Sequence, residues 1–262
     1  FNANASRYPN EFTGFSLQYY RALFRDTKGL LAALKSSLIL AACSCGVSMV
    51  IGTLGAVGIN KLRSKWYRTV MNTVTDIPMT NPDIITGISL MLMFVFVGRL
   101  FGLSTSLNFF TMLAAHVTFC TPYVILQVLP KLRQMDRALP EAALDLGCTP
   151  MRALLKVELP EILPGIITGA IMAFTLSLDD FVISYFTSGN GFQTLPIRIY
   201  AMTKKTVTPK MYALATIIFF VTLSLLLISN LVDDEDQKAL KEAKKKRKAK
   251  KHREKAAKSG LR

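Results

Sequence analysis

The sequence predicts an all-α integral membrane protein whose chain crosses the bilayer five times. Three observations predict it. Half of the 262 residues are hydrophobic (51%) and only 19% are charged, giving a positive mean hydropathy of +0.34. Uncharged or nearly uncharged runs recur at the length of about 20 residues needed to cross a hydrocarbon core of roughly 30 Å. Lys and Arg gather in a few segments between those runs instead of spreading over a surface.

The first run, residues 36–59, contains no charge, and neither does the last, 211–232. Among Asp, Glu, Lys, Arg and His, residues 107–129 carry only His116, and 165–186 only Asp179 and Asp180. The fifth candidate, 70–97, holds Asp76 and Asp83 and is interrupted by Pro78 and Pro82. In lipid every backbone N–H and C=O must be satisfied within its own segment, so each run is expected as a helix.

The net charge of +15 is an attribute of topology. Residues 61–68, 131–156 and 238–262 hold 22 of the 32 basic residues. If these three segments share one side, the helices between them alternate consistently. The positive-inside rule then puts the C-terminus in the cytoplasm and the N-terminus outside. Residues 1–35 form an extracellular segment with aromatics suited to an interfacial helix, residues 36–232 the transmembrane domain, and residues 233–262 a basic tail expected to be disordered. That tail lacks interleaved aromatics and a fold to present it, which argues for anionic lipid and against nucleic acid. The chain starts on Phe1, and no signal peptide precedes the polar N-terminal stretch. A further helix ahead of Phe1, making six, is expected on that ground.

Chemistry beyond transport finds no footing in the residues. No phosphate-binding glycine loop and no nucleophile–base pair occurs. Cys43, Cys45 and Cys120 lie in apolar runs without convergent His or Cys, so reduced thiols and no metal site are expected.

The segment 131–161 reads as helix, turn, helix on the cytoplasmic side. Leu139, Pro140, Glu141, Ala142, Ala143, Leu144 and Asp145 open a helical stretch with proline in its first turn. Gly147 permits a backbone conformation or a close approach that a side chain would hinder. Pro150 starts a second helix and Pro160 is expected to end it. Glu141-Ala142-Ala143, Gly147, Val157 and Leu159-Pro160, at their spacing, resemble the EAA loop of binding-protein-dependent ABC importer permeases, with Val157 where that family usually has Ile. PMTNPDIITGISLML, AHVTFCTPY, FTLSLDDFV and LPIRIYAM extend the resemblance over residues 10–231 to permeases of spermidine/putrescine importers, the PotC type.

The resemblance implies a type I ABC importer permease bundle in a bacterial cell membrane. It implies coupling to a separate ATPase dimer (PotA type) through Glu141, Ala142, Ala143, Gly147 and Arg152, with ATP and Mg²⁺ bound there and no cofactor in this chain. It implies a second homologous permease (PotB type) and an extracellular substrate-binding protein (PotD type). Intramembrane carboxylates are functional candidates by default. Asp179 and Asp180 lead, with Asp83 beside them; being consecutive, the pair cannot both point into one pore. Polyamine ammonium groups need carboxylate acceptors and aromatic walls, which Tyr123, Tyr185 and Phe181 can supply. The alternative for the pair is interhelical bonding or capping of a kink. Asp76 is expected to cap a helix start or pair within the subunit. His116, Thr118, Thr121, Ser177 and Ser184 are expected to bond between helices. Other readings are the same architecture for another solute, for which the Asp pair favours a cation, or a secondary transporter or channel, against which the EAA loop speaks.

Overall fold

The computed structural model describes residues 14, 16–25, 29–62, 64–102, 107–136, 138–189, 191–204, 211–224 and 226–228. The expected basic tail and most of the N-terminal stretch lie outside them. The described residues are helical, with no strand among them. In chain order they form α1 (Gln18–Arg25), α2 (Leu30–Lys61), α3 (Lys65–Thr80), α4 (Asp83–Leu100), α5 (Phe109–Gln134), α6 (Ala138–Asp145) and α7 (Pro150–Ala153). A π-helical turn, Leu154–Glu158, joins α7 to α8 (Leu159–Glu161), followed by α9 (Leu163–Asp179), α10 (Val182–Thr187) and α11 (Leu195–Thr203). A last apolar helix, α12, spans Met211–Ile228.

Helices α2, α4, α5 and α12 are each long and apolar enough to cross a membrane. The segment Pro150–Glu161 and α9 pass the same test only as a pair bent by 71° at Ile162, which gives four such helices, or five if the pair is one span. Each of the five expected runs holds helix, although their limits differ. The first helix reaches Lys61 and begins at Leu30, before the uncharged run. The third continues through Pro130 to Gln134, because a proline near a helix end forfeits a single hydrogen bond in a turn already reaching solvent. Pro160 does not end the second hairpin helix. Pro160 has no N–H to give the Lys156 carbonyl the usual α-helical bond, and just before it the backbone takes up a π turn, with Leu159 N–H donating to the Leu154 carbonyl. The interrupted candidate 70–97 resolves into two helices, α3 and α4, separated by Asn81 and Pro82; the residue before a proline avoids the helical region.

Helices α2, α5 and α9 form the core. Ala56, Val57 and Ile59 meet Cys120, Val124, Val128 and Leu132, and Ile162, Ile166 and Ala173 close the third side. Glycine sets the spacing on both faces of Val124. A Cβ on Gly52 would stand 2.7 Å from the Val124 Cβ, and one on Gly169 would stand 3.3 Å from its Cα. Apolar tails of lipid offer no hydrophobic drive between helices, so such close backbone approach and its dispersion contacts are what join them. A second cluster packs Leu30 and Ala33 of α2 against Leu195 of α11 and Leu214 of α12. A third joins Leu90 of α4, Ala115 of α5 and Ile183 of α10.

Candidate functional site

The run 165–186, expected as one helix, breaks at Asp180. The backbone there is extended (φ −64°, ψ 127°), and the Asp180 carboxylate accepts the free N–H groups that begin α10: Ile183 at 3.2 Å and Ser184 at 2.7 Å. A carboxylate that satisfies two orphaned donors of a helix start stabilises the start and the break together. Asp180 thus takes the kink-capping role raised in the sequence reading.

The capped break is clasped from α5 by His116, which is fully buried. Its Nδ1 lies 2.8 Å from the Ser177 hydroxyl, before the break, and its Nε2 lies 3.0 Å from the Ser184 hydroxyl, after it. The Asp180 carboxylate is 3.6 Å from the same Nε2. Ser44 of α2 donates to Ser177 at 2.8 Å, so one polar chain ties α2, α5, α9 and α10 within an apolar bundle. Its groups satisfy one another, as burial demands. Thr118 and Thr121, expected to bond between helices, instead return their hydroxyls to the carbonyls of Ala114 and Val117 on their own helix.

Asp179 points the other way. It is exposed and lines a cavity of about 410 Å³ with Leu178, Phe181, Tyr200 and Thr203. Among the described residues it has no cationic partner within ion-pair distance. Phe181 stacks at 4.8 Å on Tyr200 and 5.5 Å on Tyr185, and the two tyrosines stand 6.1 Å apart. The rings form a partly exposed aromatic wall beside the carboxylate. Tyr200 was not anticipated as a site residue; its ring arrives because Ser37 of α2 accepts the Leu195 N–H at 2.8 Å and seats the start of α11.

Asp83 sits exposed in the first turn of α4, where the helix dipole favours a negative charge. Its charge lies within electrostatic range of Asp180 and of half-buried Tyr123. Helix α4 is drawn onto α10 at Gly87, whose missing Cβ leaves room for Phe186: a Cβ there would stand 3.1 Å from its ring edge. Of the predicted pathway residues, Asp179 and Phe181 line the cavity and Tyr185 touches the Phe181 ring, while Asp83 and Tyr123 interact with one another and are not part of that cavity's lining. Asp76 does not cap a helix start. It lies within α3 and lines a smaller cavity, about 220 Å³, with Arg133.

At the opposite end of α9 the hairpin is built around its turn. Gly147 has φ +83° with nothing within 4 Å of a notional Cβ, so its role is conformational and not one of close packing. Its N–H donates to the Leu144 carbonyl at 2.9 Å and the Cys148 N–H to the Ala143 carbonyl at 3.1 Å, the paired bonds of a left-handed helix stop. Thr149 then caps α7, accepting the Arg152 N–H at 3.4 Å. Ala143 and Ala153 are buried between the two arms, while Glu141, Ala142 and Arg152 face outward. Leu146, 86% exposed, and Met151, 65% exposed, crown the tip. Beneath it, Glu158 is buried and pairs with Lys61 at 3.1 Å, pinning the π turn to the end of α2. Glu141 and Glu158 share a cavity of about 710 Å³ with Lys61, Arg68 and Arg133.

Comparison with known proteins places this architecture. Residues 48–234 match the family model described as binding-protein-dependent transport system inner membrane component. The putrescine transport system permease protein PotI of Escherichia coli K12 is 38% identical over 218 residues, covering 83% of this chain and 77% of its own. The spermidine/putrescine transport system permease protein PotC of Haemophilus influenzae is 37% identical over 229 residues, covering 87% and 86%. Among solved structures, a chain of a bacterial ABC transporter for the acidic polysaccharide alginate superposes with a TM-score of 0.64 at 18% identity, over 86% of this chain and 85% of that one. A chain of the inward-facing MetNI methionine ABC transporter does so with 0.59 at 20% identity, over 78% and 95%. A hairpin at one end of a spanning helix and a capped break at the other thus belong to a chain whose family is shown by these matches: it is a member of the binding-protein-dependent transport system inner membrane components.

Proposed function

We propose that this permease carries polyamines, spermidine or putrescine, across the bacterial cell membrane. The observation that supports this cargo is Asp179: an exposed carboxylate beside a partly exposed aromatic wall, near the end of a membrane-spanning helix. Facing lipid, such a group is costly, so its face borders a pathway or a neighbouring subunit. α9 has 17 residues, about 25 Å at 1.5 Å per residue, which puts Asp179 in the half of the membrane remote from the hairpin. A carboxylate attracts an ammonium and the rings of Phe181, Tyr185 and Tyr200 cover its methylene stem and offer cation–π faces. The relatives named for putrescine and spermidine transport, at 34–38% identity, support the same reading.

The pathway forms between this chain and a second permease of the PotB type, with Asp83 and Tyr123 lining its continuation. The hairpin faces the cytoplasm, and the C-terminus with its basic tail lies there too, against anionic lipid. Leu146 and Met151 dock in a cleft of a PotA-type ATPase, with Glu141 and Arg152 offering charged contacts at the rim. That ATPase dimer binds ATP and Mg²⁺, and a PotD-type binding protein delivers the cargo outside. Closure of the ATPases moves the hairpin, and α9 carries the movement to the break.

The test is uptake of radiolabelled spermidine and putrescine by cells lacking the gene, compared with complemented cells and with unlabelled competitors. Loss and rescue of saturable uptake is expected. Unchanged polyamine uptake in a strain without a second importer refutes the cargo and leaves the family assignment standing.

A further inference from the structure

One ring that lines the cavity beside Asp179, that of Tyr200, already carries a cation of this chain. The Lys204 ammonium lies 4.7 Å from the centroid of the Tyr200 ring, within the range of a cation–π contact. Lys204 follows α11 directly, one turn beyond Tyr200, and is exposed. Its side chain is a primary ammonium on a four-carbon stem, chemically the end of an alkyl diamine. The short tether holds it over Tyr200 and leaves Asp179, on the same cavity, without a cation among the described residues. One cavity therefore offers two cation-accepting features, an aromatic face occupied by the chain's own ammonium and an unoccupied carboxylate.

Building on the polyamine reading above, we propose that Lys204 is a tethered competitor for the cargo, displaced from Tyr200 only by a ligand with a second ammonium group. A diamine or triamine pairs one end with Asp179 and sets another over Tyr200, expelling Lys204. A monoamine satisfies Asp179 alone and has no second charge with which to displace the lysine. Discrimination then rests on the number of ammonium groups as well as on carboxylate attraction. Return of Lys204 to the ring weakens the hold on the outer end of the cargo, which favours its onward movement.

The experiment uses the purified complex of both permeases and the ATPase, in lipid nanodiscs, without the binding protein. Amine labelling of Lys204 followed by mass spectrometry should rise in the presence of spermidine or putrescine and stay at baseline with butylamine at equal ionic strength. In the same preparation, Lys204→Gln should tighten spermidine binding about two- to fivefold, the factor corresponding to an exposed cation–π contact. Lys204→Arg, which keeps the cation, should bind as the native chain does. Equal labelling with and without spermidine, or unchanged binding in Lys204→Gln, overturns the proposal while saturable spermidine binding to the native complex shows the cargo reading intact. No saturable spermidine binding to the native complex, together with no polyamine uptake in complemented cells, refutes the cargo reading and this proposal with it.

Discussion

Replacing His116 with alanine tests whether the break in the fourth crossing is held by a clasp. The imidazole is fully buried and bridges Ser177 and Ser184. Hydrogen bonds between membrane helices contribute about 1 kcal/mol each, so two lost bonds come to about 2 kcal/mol. Ser177 keeps its bond from Ser44, and Ser184 N–H keeps the Asp180 carboxylate, but the Ser184 hydroxyl loses its partner on α5. The void left by the ring adds to this; large-to-small changes in packed cores cost about 2–5 kcal/mol in total. A destabilisation of about 3 kcal/mol is therefore expected. The assay is thermal unfolding of the assembled transporter in detergent, followed by native-gel retention of the complex.

A clasp and a proton relay differ in a second observable. His116→Gln keeps a donor and an acceptor near both hydroxyls without titrating, so a clasp predicts substantial recovery of assembly and uptake, with an unaltered pH profile between about 6 and 8, around the ordinary histidine range. If His116→Ala unfolds at the native temperature, the clasp is wrong. If His116→Gln assembles normally but loses uptake in a pH-dependent way, the ring moves protons and the structural account of it fails.

The two aspartates should separate cleanly. Asp179→Asn is expected to cut uptake at least about tenfold, a loss of roughly 1.4 kcal/mol in cargo stabilisation, with unchanged thermal stability, whereas Asp180→Asn, still able to cap, should be milder in both and Asp180→Leu should cost about 1 kcal/mol of stability. At Gly147 the order of tolerance should be Asn, then Ala, then Val, since the positive φ costs a residue with a Cβ about 1–2 kcal/mol and no neighbour clashes; uptake per assembled complex reads it, and equal activity of Gly147→Val would refute the turn assignment. For the hairpin pin, Lys61→Ala leaves the buried Glu158 carboxylate unpaired and should destabilise by about 1–3 kcal/mol, more than Glu158→Gln, which leaves only a half-exposed lysine; the reverse order in thermal unfolding would show that the pair does not hold the hairpin.

Some of this was open to reading from composition and some was not. The crossings were legible because lipid forces each uncharged run to satisfy its own backbone. The hairpin was legible because Pro150, Gly147 and the Ala pair each have a local reason for their place. The break at Asp180 was hidden inside a run with neither proline nor glycine between Gly169 and Phe186. Its signal was the second of two consecutive aspartates, a residue that competes for backbone N–H groups and so favours helix starts. Tyr200 and Glu158 could not be found this way. The first depends on Ser37 seating α11, the second on Lys61 at the end of α2, and neither partner is near in sequence.

The hairpin and the capped break are joined by a single helix. α9 begins at the 71° bend above the hairpin and ends at the capped break beside the cavity. Between those points it cannot slide freely along α5, because a Cβ on Gly165 would stand only 2.6 Å from the Lys131 Cγ and 3.0 Å from the Gln127 carbonyl, and Gly169 lies against Val124. Gly52 locks α2 onto the other side of the same valine. Close-packed interfaces of this kind resist continuous deformation and tend to move as units. The irregular backbone is confined to the two ends of α9, with the π turn and bend at one and the Asp180 cap at the other. The hairpin and the break are thus joined through a close-packed three-helix body, and the polar clasp of His116 is the joint at which that body meets α10.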